Sequence, residues 1–263
     1  MTNLINLNTI RRSDNKLARG VIFYRGPSAI DGQPIVAVAI TKSRNTKTGN
    51  MVQTYILRDD MSPTAAIQSG ADSSVCGGCR HRGEHDATGA VIPGTRTCYV
   101  VIGQGPTGVW KGLQADQYPT VDASGLFAGK FVRLGTYGDP AAVPFDVWAG
   151  LLQGTTGHNG YTHQWLDCDS RFAQLCMASA DTALEREHAN ALGYRTFRVR
   201  PDTEKLKGEF VCPASVEAGQ RLQCAACKAC GGTSSKARAD VTITLHGGSA
   251  VMANAKRRDM IAA

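Results

Sequence analysis

The chain has 263 residues, 42% of them hydrophobic and 19% charged, and carries a net charge of +7. This composition fits a globular chain large enough to bury a core and excludes a disordered one. No apolar run approaches the ~20 residues that span a bilayer. The opening MTNLINLNTIRRSD also lacks the basic, apolar and small-residue order of a secretion signal. A cytoplasmic protein without a membrane partner is therefore expected.

Residues 1–70 are expected to form a β-rich segment packed on a main domain of residues 71–263. GVIFYRG, PIVAVAITKS and MVQTYILRDD are apolar, β-branched runs separated by Gly, Pro, Asn and Asp. A polar, glycine-rich loop follows over 71–98. From Tyr99 the pattern changes to strand, loop, helix. YVVIG reads as a buried strand, GVWKGLQADQY as a helix and KFVRLG as a strand. FDVWAGLLQ reads as a helix, with Pro144 suited to its first turn and Phe145, Trp148, Leu151 and Leu152 on one face.

GYTHQW and QLCMAS are further expected strands. DTALEREHANALGY carries the strongest helix signal, with Thr182 and Glu185 at capping-box spacing and Gly193 at the stop. RTFRVRP, EFVC and DVTITL complete the strands. The alternation predicts an α/β fold with a parallel sheet and outer helices. Closure into a (β/α) barrel or partial barrel is expected, because roughly seven candidate strands follow Cys98 against the eight of a full barrel.

In parallel α/β folds the C-terminal strand ends build the site. Asp139, His163, Arg200 and His246 stand at such ends, as do Ser179 and Asp181. Asp181, just ahead of a helix, reads as a cap. Asp139, His163 and Arg200 are the candidate acid/base and anion-binding groups.

The nine cysteines carry the strongest chemical signal. An odd number cannot pair completely, and a reducing cytosol directs dense thiols toward metal or redox chemistry. Cys224, Cys227 and Cys230 recur at every third position, and Cys212, followed by Pro213, supplies a remote fourth thiol. Repeated two-residue spacers with a distant Cys-Pro match the loops that wrap an iron–sulfur cubane, whereas zinc sites more often take two separated CxxC pairs.

Upstream, Cys76, Cys79 and Cys98 form a second group with His81 and His85 nearby. It can hold a cluster with one iron left open, or a zinc completed by a histidine. Cys176 reads as a small core residue, and Cys168 has no assigned role. GQGPTG, starting at Gly103, is a formal GxGxxG, but no acid stands at the right distance and Pro106 interrupts it. It reads as a glycine turn opening a helix, with a weak anion site as the alternative. Walker A, HExxH and GxSxG motifs are absent from the sequence.

NTKTGNMVQTYIL, SSVCGGCRHRG with CYV, RLGTYGDPAAVP, GYTHQW, MASADT with GYRTFRV, and CPAS before CxxCxxCGG together resemble a group of uncharacterised phage and prophage proteins. The resemblance runs from about Asn45 to His246. More remotely, the chain is similar to phage proteins related to radical S-adenosylmethionine enzymes. Those combine an α/β barrel with three cysteines near a CY pair. Here the cysteine spacers are two and eighteen residues, not the CxxxCxxC of that family.

That likeness implies a 4Fe–4S cluster and S-adenosylmethionine, with Tyr99, Gly103 and Gly105 on the cofactor side. The expected function is a phage-encoded metalloprotein in the host cytoplasm, a radical-type or degenerate redox enzyme acting on a small molecule. The alternative is a zinc-stabilised nucleic-acid-binding protein. Its basis is the basic balance, with clusters at Arg11-Arg12 and Lys256-Arg257-Arg258, although no aromatic ladder accompanies them. A third class is an interaction protein with metal-stapled loops.

Overall fold

The computed structural model describes residues 9–41, 46–200 and 204–244. His246 and the Lys256–Arg258 cluster lie outside the described residues. Three N-terminal strands, β1 (Gly20–Pro27), β2 (Pro34–Ile40) and β3 (Met51–Arg58), form an antiparallel meander. Its ridge is Ile35 through Ala39, a fully buried run. Strands β4 (Phe131–Tyr137) and β5 (Gly157–Asn159) then add in parallel beyond β3. The first sheet is thus mixed, in the order β1-β2-β3-β4-β5.

The second sheet is all-parallel: β6 (Tyr161–Thr162), β7 (Met177–Ala180), β8 (Thr196–Arg200), β9 (Glu209–Val211) and β10 (Asp240–Thr244), in the order β6-β7-β8-β10-β9. The result is a mixed α/β fold with two five-stranded sheets. Only Gly160 separates β5 from β6. Its N–H donates to the Cys230 carbonyl and its own carbonyl accepts from Met177. A Cβ at this position would stand 2.8 Å from Cys176 Sγ and 3.2 Å from Leu134 Cβ. The chain passes from one sheet to the other through a gap where a side chain would force its neighbours to shift.

Six α-helices occur among the described residues: α1 (Pro63–Gln68), α2 (Ser73–Cys76), α3 (Gly105–Gln114), α4 (Phe145–Leu151), α5 (Ala183–Ala191) and α6 (Cys224–Cys227). None is long and apolar enough to cross a membrane. In α4 the expected apolar face is buried at Trp148 and Leu151 and half-buried at Phe145 and Leu152; Trp148 lies 5.1 Å from the Phe23 ring and donates its indole N–H to the Pro140 carbonyl. Helix α5 has the expected capping box between Thr182 and Glu185, and Gly193 follows it at φ +86°.

One expected strand does not form. Residues 99–101 of YVVIG run as an irregular segment, with Tyr99 and Val101 each 59% exposed. The Arg96 guanidinium binds the carbonyls of Cys98 and Val100, taking acceptors that a strand ladder would use. Apolar, β-branched composition is not sufficient when the backbone has no neighbouring strand to pair with.

The second sheet separates two apolar clusters. Ala178 packs into the main core, with Ala189 of α5 and Tyr194. Met177, Val241 and Ile243 join a smaller cluster that contains Cys212 and Cys230. Buried ion pairs lock the strands in register. Arg198 binds Glu209 through two 2.7 Å bonds, and Asp240 accepts from Thr196 N and Arg186. Such paired, fully bonded charges avoid the large cost of a lone buried charge.

Candidate metal centres

All nine cysteines are free thiols. Cys212 leaves β9 with its N–H on the Thr242 carbonyl, which places it at the C-terminal edge of the second sheet. The loop carrying Cys224, Cys227 and Cys230 folds back against it, turning at Lys228 with φ +54°. All four cysteines line one small pocket of about 20 Å³, together with Tyr161 and Phe210. The remote fourth thiol expected from the Cys-Pro pair is therefore adjacent to the other three.

Burial pushes the Cys230 thiol up to about 12; a hydrogen bond from Tyr161 opposes this, and the other three thiols add to it. Burial also raises Cys212 and Cys224, with the cations of Lys47 and Arg133 opposing it at Cys224. A coordinated cation would reverse this balance, because metal ligation deprotonates a thiol.

The upstream group is held from several directions. Helix α2 ends at Cys76, and Gly77 then turns at φ +56°. A Cβ on Gly77 would overlap Gln164 Oε1 at 2.2 Å, so the glycine after Cys76 makes room for that side chain. Gln164 in turn accepts from Gly78 N at 3.0 Å and donates to the Cys76 carbonyl at 3.1 Å. Arg82 ties the loop to Asp72 and to the Gly70 and Gly77 carbonyls. Cys98 joins through its N–H on the His81 carbonyl. Burial drives the Cys76 thiol well up, and Cys79, Asp72, Cys98 and Asp139 add to the effect; Cys79 is pushed up to about 12 by burial.

The C-terminal strand ends expected to build a site do so in part. After β4, Asp139 is buried: Oδ1 accepts from Ala141 N and Oδ2 from His163 N at 2.7 Å, while its own N–H donates to Val75. Burial raises its carboxyl against those hydrogen bonds. It acts as a bracket between α2, β4 and His163, and the cavity beside it does not include it. His163, after β6, does line that cavity, which measures about 320 Å³ and is also bounded by Arg80, Trp165, Ser179, Asp181 and His188.

Arg200 stands elsewhere. Its side chain is fully buried and ion-paired with Glu217, so the expected anion-binding role has no opening to the cavity. His85 turns its ring toward the Ile67 carbonyl.

Among the described residues, the set of three ligand atoms lying within 4.8 Å of one another is His81, His163 and Asp181. Asp181 had read as a helix cap. Thr182 is the cap instead, and Glu185 binds the Asp181 and Thr182 N–H groups, which turns the Asp181 carboxylate toward His81 at 3.3 Å. Sequence spacing could not reveal a cluster whose members lie up to 100 residues apart. Its signals were separate ones: a histidine two residues beyond CxxC, and His163 and Asp181 at strand ends.

No family model, curated protein or solved structure matches the chain.

The remaining expected contacts are modest. Tyr99 accepts from Arg133 at 3.2 Å. Gly105 opens α3, where a Cβ would meet Tyr55 Oη at 2.9 Å, so packing accounts for that glycine. Nothing lies within 4 Å of where a Gly103 Cβ would stand. Cys168 meets the Tyr194 hydroxyl at 3.5 Å, and Cys176 is a buried core residue, as its apolar context implies. Arg133 also links the two cysteine groups: it contacts Tyr99, next to Cys98, and sits over the Tyr161 ring at 5.5 Å, next to Cys230.

Proposed function

We propose that this chain is a metalloprotein whose cysteines hold two inorganic centres, with Cys212, Cys224, Cys227 and Cys230 binding an iron–sulfur cluster. One observation carries the reading: Cys212, distant from the CxxCxxC run, lines the same pocket as its three thiols. Four thiolates bring a charge of −4 before metal, and Arg133 and Lys47 stand where they offset part of it. A tetrahedral zinc with bonds of about 2.3 Å would draw its sulfurs to roughly 3.8 Å apart. No three thiols among the described residues lie within 4.8 Å of one another, and the preference for iron over zinc rests on the two-residue spacers and the remote Cys-Pro.

Cys76, Cys79 and Cys98 form the second centre in this reading, and the Tyr99–Arg133–Tyr161 contacts give the two centres a packed connection. In this reading the two sheets, joined through Gly160, make up a partial barrel.

Anaerobic purification followed by iron, sulfide and zinc analysis tests the proposal. The expected result is a brown protein with stoichiometric iron and sulfide, and Cys212→Ser should lose as much iron as Cys224→Ser. Zinc without iron would replace the cluster by zinc. A folded, oxygen-protected protein free of both metals would overturn the reading.

A further inference from the structure

We infer that His81, His163 and Asp181 form a separate mononuclear site for a divalent transition ion, zinc or ferrous iron, open to the 320 Å³ cavity. The three side chains come from three different places: the loop after Cys79, the end of β6 and the end of β7. Their ligand atoms lie within 4.8 Å of one another. Two imidazoles and one carboxylate form a donor set for borderline divalent ions, and three protein ligands leave coordination positions open, as in catalytic rather than structural sites.

Supporting bonds fix each ligand. The Thr97 hydroxyl lies 2.7 Å from His81 Nδ1. With Nδ1–H donated to that hydroxyl, Nε2 presents its lone pair on the side where Asp181 lies, the arrangement that metal-ligating histidines adopt. His163 is held at its backbone by Asp139, and Asp181 by the Glu185 carboxylate. Arg80 borders Asp181 at 3.7 Å and also binds Glu185, which closes the rim.

His163 and Asp181 line the cavity directly, so an ion held here would turn its open positions into it. A volume near 320 Å³ is at the small end for a ligand site. The cavity walls combine Trp165, Leu166 and Leu184 with Ser179 and His188. The ligand class is a small molecule, partly apolar, with an oxygen or nitrogen donor for the ion. This inference stands on nitrogen and oxygen ligands and does not depend on the cysteine centres.

Cobalt(II) titration of the full-length protein, depleted of metal under anaerobic conditions, separates the two kinds of site. Cobalt bound to thiolates gives an intense near-ultraviolet sulfur-to-metal band, whereas a His/His/Asp site gives only weak visible bands. The expected result is one equivalent without the sulfur band, lost in both His163→Ala and Asp181→Asn while the sulfur bands persist. Thr97→Val should weaken that equivalent about tenfold without removing it.

Vanadyl(IV), which thiols do not reduce, should also show nitrogen hyperfine splitting from imidazole when bound to the unmutated protein, a readout independent of whether any variant folds. Absence of this splitting, or an unchanged cobalt stoichiometry in both variants, overturns the inference. Loss of the sulfur bands alone would count against the cysteine centres and leave this site intact.

Discussion

His158 lies within β5 with its ring largely enclosed, and its Nε2 has no hydrogen-bond partner. Burial lowers its pKa from the ordinary 6.5 to about 4, with a hydrogen bond to the Leu175 backbone opposing the shift. The folded state therefore binds this proton less readily than the unfolded chain. The stability linked to this group is fully present above pH 6.5 and is lost as the pH falls through about 4. His158→Asn keeps a donor near the Nδ1 position and removes the titration. Urea midpoints measured across that window should fall more steeply for the unmutated protein than for the variant; parallel curves would assign the acid sensitivity to other groups.

Single residues were unevenly legible in the sequence. Cysteine spacing located the Cys212, Cys224, Cys227 and Cys230 pocket, because thiols clustered in a polar loop have few other uses. Position at a strand end picked out His163, which lines the cavity, and Asp139 and Arg200, which do not; Asp181 read as a cap, a role that Thr182 fills. The sequence places charges at strand ends without showing which of them a second charge has already engaged. Glu217 engages Arg200, and Thr182 takes the capping role that leaves Asp181 directed at His81.

Among the elements, α5 shows how local chemistry reaches the site. Thr182 accepts from Glu185 N, and Glu185 returns to the Thr182 and Asp181 N–H groups while its other oxygen takes Arg80. Thr182→Ala should cost about 1 kcal/mol of stability, read from chemical denaturation with an unchanged m-value. Helices α1 and α2 were not anticipated, because they are too short to show apolar periodicity. The available signal for α1 was the Ser62-Pro63 pair, an N-cap followed by proline at the first position. YVVIG erred in the opposite direction: strand composition was present, but Arg96 occupies the carbonyls.

Across the molecule, the two sheets meet at one residue. Gly160→Ala would press a methyl group against Cys176 and Leu134 and should cost about 1–3 kcal/mol by overpacking. Gly103→Ala, with nothing within 4 Å of the added carbon, is the matched control and should stay within about 0.5 kcal/mol. Equal melting temperatures for the two variants would show that the junction tolerates strain.

Alternation of strand and helix after residue 99 foretold the parallel pairing of the second sheet. It did not foretell that β3 pairs with β4, because sheet partners distant in the chain leave no trace in local pattern.

The C-terminal cysteine loop is also fastened to the turn before β3. Cys224 and Ala225 donate to the carbonyls of Lys47 and Thr48, and Gln223 reaches back 177 residues to Thr46. During translation the ribosome delivers that early turn long before its clasp, and the nascent chain must carry it unfastened until the last thiols emerge. Contacts so distant along the chain slow folding, and the waiting intermediate is the form most prone to aggregate.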